Sequence, residues 1–136
     1  MWNSKKELKK ICCMSKALDR VKSIIKSIED IEFVLYGADV KITEAIENRI
    51  IKPAIRMHIV KISEQFSKLK DDNAFKILEK FSSSDLKGIN AVRNYIAHDY
   101  DSIDDNIIED VIRYDLSNIK KDAKKLLISK SQSPIS

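Results

Sequence analysis

Residues 54–69 read AIRMHIVKISEQFSKL, and this stretch decides the fold class. Its large apolar side chains recur every three or four residues, which places them on one face of an α-helix for about four turns. These positions are Ile55, Ile59, Ile62, Phe66 and Leu69. The side chains between them are mostly polar or charged. The pattern therefore predicts a helix that packs one face against a core and exposes the other.

The same periodicity continues toward the N-terminus. Apolar residues at helical spacing predict a first helix over 16–36, with Ser15 as its N-cap and Gly37 as its stop. Thr43 is predicted to cap the next helical segment. Pro53 either kinks a continuous helix there or lies in the first turn of a new one. The sequence leaves these two alternatives open.

Toward the C-terminus the pattern predicts three more elements. The polar cluster at 71–73 is typical of a turn, and a short helix follows over about 75–81. Ser84 is predicted to cap a further helix that runs into the 90s. Asp104 or Asp105 is predicted to cap a last long helix. Amphipathic helices joined by short loops bury their apolar faces against one another.

The composition agrees with an all-α chain. Only two glycines and two prolines occur in 136 residues, too few for a turn-rich β architecture. We therefore predict an up-and-down four-helix bundle with an extra short helix. The expected organisation is a basic N-terminal lead-in over 1–15, one helical domain over 16–128 and a flexible tail over 129–136.

Net charge, cysteine content and hydrophobicity bear on the class of partner and on the cellular compartment. The net charge of +4 and the sequence pI of about 9.0 are compatible with a nucleic-acid partner. Cys12 and Cys13 are adjacent, have no metal-ligand spacing, and are interpreted as reduced thiols. No apolar run approaches the length of a membrane span, and the apolar stretch 11–14 is too short for a signal peptide. These features predict a cytoplasmic protein with no membrane association.

Two histidines occur, and they have different surroundings in the sequence. His58 lies within the periodic stretch and is interpreted as a structural or surface residue. His98 lies in the polar segment RNYIAHDY, residues 93–100. Histidine exchanges protons near neutral pH, so it can deprotonate a ribose 2′-hydroxyl or protonate a leaving 5′-oxygen. Arg93 offers a planar set of donors to a phosphate whose charge grows in the transition state.

Neighbouring side chains of this segment can support the same chemistry. Asn94 is positioned to orient His98 or to bind phosphate, and Asp99 is a further supporting candidate. Tyr95 or Tyr100 can stack on a base or donate to phosphate. No acidic metal cluster is evident in the sequence, so neither a metal nor a cofactor is expected. An arginine and a histidine five residues apart also occur by chance, so a structural role for the segment remains the alternative.

The spacing of this pair has a geometric consequence. In a straight helix, residues five apart point about 140° away from each other. Arg93 and His98 would then not reach one phosphate from a single unbroken helix. Either the helix breaks near His98, or the site is assembled across a symmetric dimer. The residues Asp99, Asp101 and Ser102 favour a break.

The segment resembles the signature of the HEPN superfamily, and in particular its HepT-like branch, whose form is Arg-x4-His-x-Tyr. Arg93, Asn94, His98 and Tyr100 stand in that register without departure. The stretch 54–69 is similar to the branch's central helix, although Ser63 and Gln65 stand around Glu64 where the branch typically has Gly-Glu-Ala. A tryptophan expected shortly before the signature is absent. The resemblance covers residues of about 16–127.

This resemblance implies a function in some detail. HepT-like proteins are toxins of toxin–antitoxin pairs, metal-independent endoribonucleases that cut RNA, including tRNA, by 2′-hydroxyl attack. The resemblance implies a homodimer whose two signature segments face one cleft. It also implies a partner, a nucleotidyltransferase of the MntA type, that silences the toxin by transferring AMP to the signature tyrosine, here Tyr100. Arg93 and His98 would then be the catalytic residues.

Two other functions remain open from the sequence. The chain would alternatively be a non-catalytic helical subunit that docks a minimal nucleotidyltransferase, or a purely structural helical dimer. The complete set of Arg93, His98 and Tyr100 favours the ribonuclease, because a docking subunit has no need of all three.

Overall fold

Helices make up nearly all of the residues that the structure describes, which are 4–37, 41–98 and 105–131 of this computed structural model. In chain order the elements are α1 (Ser4–Gly37), α2 (Ile42–Ala45), α3 (Ile51–Asp71), α4 (Phe75–Leu78), α5 (Ser83–His98), α6 (Asp105–Asp110), a π-helical turn (Val111–Asp115) and α7 (Leu116–Ser131). No strand occurs in these ranges. The predicted all-α class and helical bundle are confirmed.

The apolar face of α3 lies in the centre of the bundle. All five apolar positions predicted from 54–69 are buried, together with isoleucines and valines of α1, α5 and α7. Burial of one such large side chain contributes about 1.5–3 kcal/mol, so each of these positions stabilises the bundle. The Phe66 and Phe81 rings meet edge to face, with centroids 5.1 Å apart, and so connect α3 to the segment after α4.

Two ion pairs show how α1 lies against its neighbours. Arg20, in the first half of α1, donates to Asp72 just beyond the end of α3 at 3.0 Å. The middle of α1 therefore lies beside the C-terminal end of α3. Lys120 of α7 contacts Glu32, near the other end of α1, at 2.8 Å. Both pairs are partly solvated, so they define the register more than they stabilise the bundle.

The first helix is longer than the sequence pattern predicted. It begins at Ser4, so Ser15 lies inside α1 and the prediction of Ser15 as an N-cap is wrong. The residues before 16 contain no glycine or proline and include four lysines, and lysine favours helix. Most of the basic lead-in is therefore helical. Gly37, the predicted stop, is the last residue of α1 that the structure describes.

The structure resolves the two alternatives at Pro53. The helix α3 begins at Ile51, so Pro53 lies in the first turn of a new helix, where its missing N–H costs nothing. Asn48 lies just before the start of α3, and its Oδ1 atom accepts hydrogen bonds from the backbone N–H groups of Ile50 and Ile51 at 2.9 and 3.0 Å. Thr43 lies within α2, so its prediction as a cap is wrong.

The turn predicted at 71–73 ends α3. Asn73 has a φ of 59°, and the backbone N–H groups of Asn73 and Ala74 donate to the carbonyls of Lys70 and Leu69. This is the Schellman arrangement, in which asparagine tolerates the left-handed conformation. It satisfies carbonyl groups that the end of a helix leaves without partners.

The remaining boundaries differ from prediction by small shifts. The helix α5 begins at Ser83, so Ser84 is its second residue and not its cap. The last long helix begins at Asp105, while Asp104 lies outside the described residues. It runs to Ser131, so residues 129–131 of the predicted tail are helical, and 132–136 lie outside the described residues. Within the described ranges, no helix has the length and apolar character needed to cross a membrane.

Candidate active site

The signature segment is positioned by the packing of α5 on α3. Ile89, Val92 and Ile96 of α5 are buried in the core. The buried Ser63 hydroxyl of α3 donates to the Asn90 Oδ1 atom at 3.3 Å. The two helices run antiparallel, so the C-terminal end of α5 lies beside the N-terminal half of α3.

A cleft of about 630 Å³ opens between these two helix ends. Its walls carry four cationic side chains and one carboxylate, on a largely apolar floor. The lining residues are Arg49, Lys52, Pro53, Arg56, Met57, Val60, Glu64, Arg93, Ile96 and Ala97. The cationic side chains outnumber the single carboxylate, Glu64, so the lining as a whole is positively charged.

Arg93 is the signature residue that lines this cleft. Its side chain is exposed, and Ala97, one turn later on the same face of α5, lines the cleft with it. Asn94 and His98 are also four residues apart and therefore share the adjoining face of the helix, where both are exposed. The Tyr95 side chain is 42% exposed.

The helix α5 is continuous from Arg93 to His98, which is its last described residue. No break therefore intervenes between these two residues, and their side chains diverge by about 140° within one chain. The residues invoked for a break after His98, and with them Asp99 and Tyr100, lie outside the described residues. The structure therefore excludes a break between Arg93 and His98 and leaves assembly of the site from two chains untested.

His58 lies on α3 away from the cleft lining. Its side chain is half-buried, and its Nδ1 atom is buried with no hydrogen-bond partner among the described residues. His58 is not among the residues that line the cleft. This placement agrees with the structural interpretation of His58.

Three basic residues in the first turns of α3 and just before it line the cleft, and the sequence pattern did not reveal them. Arg49, Lys52 and Arg56 line the cleft from the α3 side. The sequence does contain a pattern that could have indicated them. They are spaced three and four residues apart, which places them on one helix face next to the buried stripe. Without knowledge of which helix packs opposite, that face is indistinguishable from an ordinary solvated one.

A second polar cluster lies between α5 and the π-helical turn. Asp85 of α5 is 4% exposed and shares a hydrogen bond with Asp115, the last residue of the π-helical turn. Asn118 donates to the other side of Asp85 at 3.4 Å. The close approach requires Gly88, since a Cβ at that position would run into the Asp115 carboxyl group.

The Asp115 carboxyl group in this arrangement binds a proton more readily than an ordinary aspartate does. Burial, the hydrogen bond to Asp85, and the charges of Asp85 and Asp110 raise the pKa of Asp115 from its ordinary value of 3.8 to about 7. The folded protein therefore keeps a proton on Asp115 at pH values where the unfolded chain has lost it. The stabilisation is complete below about pH 4 and is lost as the pH rises through about 7.

We therefore expect the Asp115→Asn substitution to remove this pH dependence. An asparagine amide donates to Asp85 at any pH, so the variant should lose less stability than the parent between pH 5 and pH 8. The measurement is the urea midpoint of unfolding at both pH values. The exposed carboxylate of Asp71 provides the control, and Asp71→Asn should retain the parent's dependence. Equal losses in the parent and the Asp115→Asn variant would contradict the shared-proton account.

Metal ligands are not gathered anywhere in the part of the chain that the structure describes. No group of three or more histidine, cysteine, aspartate or glutamate side chains in it is arranged to hold a metal ion. The chemistry available at the cleft itself is that of cationic donors, with an imidazole and an amide on the adjoining face of α5.

Comparison with known proteins identifies one family. The family model described as "Ribonuclease HepT-like" matches residues 14–126, which is most of the chain. No curated protein and no solved structure gave a significant match. The matched range contains the whole of α3 and α5, and with them every residue that lines the cleft.

Proposed function

The chain belongs to the HepT-like ribonuclease family, and from this premise we propose that it is the toxin of a toxin–antitoxin pair, an endoribonuclease that cuts RNA without a metal ion. The observation that carries the proposal is the position of Arg93 on the cationic cleft, with His98 exposed five residues later on the same helix. The proposed setting is the cytoplasm, and the substrate class is RNA, tRNA included.

The proposed reaction uses the ribose 2′-hydroxyl as its nucleophile. His98 accepts the 2′-hydroxyl proton, or donates a proton to the leaving 5′-oxygen. The 2′-oxygen bonds to phosphorus as the bond to the 5′-oxygen breaks, so the products are a 2′,3′-cyclic phosphate and a 5′-hydroxyl. Arg93 binds the phosphate oxygens, whose charge increases in the transition state.

Three neighbours have supporting roles in this proposal. Asn94 shares a helix face with His98 and is placed to orient the imidazole or to bind phosphate. The exposed Tyr95 ring offers a surface for a base. Asp99 follows His98 directly and is assigned a supporting role from the sequence alone.

The proposed active form is a homodimer. Because Arg93 and His98 diverge on one continuous helix, one chain does not direct both side chains at one phosphate. A two-fold axis beside the C-terminal end of α5 would bring Arg93 of one chain near His98 of the other. Such an interface is self-complementary, so each dimer would contain two equivalent sites.

Subunit mixing tests this assembly directly. Arg93→Ala and His98→Ala are each expected to be inactive alone. In a heterodimer of the two variants, one site would have both native residues and the other neither. Equal mixing with free exchange makes half of the dimers heterodimers, so the expected activity is about a quarter of the parent's. If mixed variants stay inactive although the heterodimer is shown to form, the site is not shared between chains.

A reciprocal mixture gives the matched control. The double variant Arg93→Ala/His98→Ala, mixed equally with the parent, leaves every heterodimer without a complete shared site. Only parent homodimers then act, which again gives about a quarter of full activity. Sites contained within single chains would instead retain about half.

The proposal includes regulation by a partner. A nucleotidyltransferase of the MntA type would transfer AMP from ATP to the Tyr100 hydroxyl, with release of pyrophosphate and loss of the hydroxyl proton, and so silence the ribonuclease. Tyr100 follows His98 by two residues, and His98 is exposed at the end of α5. This proximity supports a modification that blocks the same site.

A further inference from the structure

The polar face of α5 that includes Arg93 extends one turn toward the start of the helix, to Asn90. Asn90 precedes Arg93 by three residues and Asn94 by four, so the three side chains share one face of the helix. All three are exposed. At a rise of about 1.5 Å per residue, Asn90 lies about 4.5 Å from Arg93 along the helix axis. The nucleotide next to a phosphate bound by Arg93 is therefore within reach of Asn90.

A buried hydroxyl fixes the orientation of the Asn90 amide. Ser63 of α3 is 0% exposed, and its hydroxyl donates to the Asn90 Oδ1 atom at 3.3 Å. The carbonyl end of the amide is therefore directed toward α3, and the Nδ2 atom with its two N–H donors is directed away from Ser63. In this arrangement Asn90 offers donors to a ligand, while its acceptor oxygen faces the other helix.

The surroundings of Asn90 favour an uncharged acceptor over a phosphate. The helices α3 and α5 run antiparallel, Glu64 is the last α3 residue of the cleft lining, and Arg93 is its first α5 residue. Asn90 therefore lies at the end of the cleft where Glu64 stands, and Glu64 follows Ser63 directly in the chain. The Glu64 carboxylate repels a phosphate there, but it does not repel the carbonyl oxygen of a base. Clefts with apolar linings take their specificity from a few placed polar groups.

We propose that Asn90 is a specificity-determining residue that selects the base next to the scissile phosphate, and that Ser63 is the positioning residue that holds the Asn90 amide for this role. The group recognised is a base carbonyl oxygen, which accepts from Asn90 Nδ2. The inference rests on the proposed function, because it takes RNA as the substrate and Arg93 as the residue that binds the scissile phosphate.

An amide held in one orientation separates two classes of base. Uracil and guanine present a carbonyl oxygen where cytosine and adenine present an amino group. The carbonyl oxygen accepts from Nδ2, whereas an amino group meets another donor there, and both are left unpaired. A freely rotating amide would not discriminate, because it would turn its Oδ1 atom toward the amino group. The bond from Ser63 opposes that rotation, so the site is expected to prefer uracil and guanine.

Oligouridine and oligocytidine test this preference with ligands of the same shape. The readout is the ratio of the Kd for oligocytidine to the Kd for oligouridine, measured on the non-cleaving His98→Ala protein. The expected ratio is about three- to tenfold, the usual net value of one hydrogen bond. In the same background, Asn90→Ala should remove the preference by weakening the binding of oligouridine alone. Because Asn90 is exposed and alanine favours helix, this variant should remain folded.

The Asn90→Asp substitution gives the sharpest arm of the test. It replaces the donor Nδ2 with an oxygen that accepts, so the preference should reverse toward oligocytidine. Ser67→Asp is the matched control, since it adds the same charge at an exposed position of α3. It should weaken the binding of both oligonucleotides to the same extent and leave the ratio unchanged.

A second pair of variants tests the positioning role of Ser63. Ser63→Ala frees the Asn90 amide to turn, so the preference should disappear although Asn90 itself is retained. Ser67→Ala removes an exposed hydroxyl one turn further along α3 and should retain the parent's ratio. Because each ratio compares two ligands on the same protein, a partial folding defect does not alter it.

The failure of this inference is distinguishable from failure of the proposed function. Equal affinity of the parent for the two oligonucleotides, or a ratio that Asn90→Ala and Asn90→Asp leave unchanged, would overturn the inference. If the parent nevertheless cleaves RNA, the ribonuclease stands. If the preference is present and is lost in Asn90→Ala, but the parent cleaves no RNA, the base contact stands and the proposed reaction is wrong. A folded protein that binds neither oligonucleotide would contradict both.

Discussion

His98→Ala is expected to lower the rate of RNA cleavage by about 10²–10⁴-fold, the usual contribution of a positioned acid or base. Arg93→Ala is expected to lower it by about 10²–10³-fold, as for loss of one donor to a charge that develops in the transition state. Both side chains are exposed on α5, so neither contributes to the core. Helical content and thermal midpoint should therefore stay close to those of the parent.

A conservative variant separates the hydrogen-bonding geometry of the Arg93 side chain from its positive charge. Arg93→Lys retains the positive charge but loses the planar pair of donors, so its rate should fall between those of the parent and Arg93→Ala. His58→Gln is the matched control, because His58 lies outside the cleft lining, and it should cleave RNA at the parent's rate. Normal cleavage by a folded His98→Ala protein would end the assignment of His98 as acid or base.

Tyr100→Phe is expected to abolish silencing by the nucleotidyltransferase. Transfer of AMP to the Tyr100 hydroxyl would place a negative phosphate and a bulky adenosine two residues from His98. The phosphate would repel the RNA backbone and pair with Arg93, taking the donors that the substrate needs. Phenylalanine retains the ring but lacks the acceptor oxygen. The variant should remain an active ribonuclease in the presence of the partner.

Intact-mass analysis measures the modification of the protein, and cell growth measures the silencing of its activity. After co-expression with the nucleotidyltransferase, the parent should carry added AMP and the cells should grow, whereas Tyr100→Phe should carry none and arrest growth. Tyr95→Phe is the control, since Tyr95 is an exposed tyrosine of the same segment, and it should still be modified and silenced. Full modification and silencing of Tyr100→Phe by the partner would show that Tyr100 is not the switch.

The fold was predictable because its information is local. The stripe from Ile55 to Leu69 is visible at a spacing of three and four residues, and all of it is buried. Boundaries were less predictable where several signals compete. Ser15 has a capping side chain, yet the helix-favouring residues before it carry α1 back to Ser4. At Pro53 both alternatives fit the same pattern, and the position of Asn48 settles the choice.

The site was predictable only in part, because some of its residues come together only through contacts between helices that are distant in sequence. Arg93 and His98 stand out because they are close in sequence and match a known signature. Arg49, Lys52 and Arg56 are more than 35 residues from Arg93, and their place in the cleft depends on which helix packs opposite them. Asp85 and Asp115 form a proton-sharing pair across 30 positions, which no local spacing indicates.

The chemistry of the RNA ends tests the central claim most directly. Purified protein is incubated with single-stranded RNA in excess chelator, and the termini of the products are identified by mass spectrometry. We predict cleavage that leaves a 2′,3′-cyclic phosphate and a 5′-hydroxyl, and that is lost in both Arg93→Ala and His98→Ala. Cleavage that needs an added divalent metal, or intact RNA with a correctly folded protein, would contradict the account.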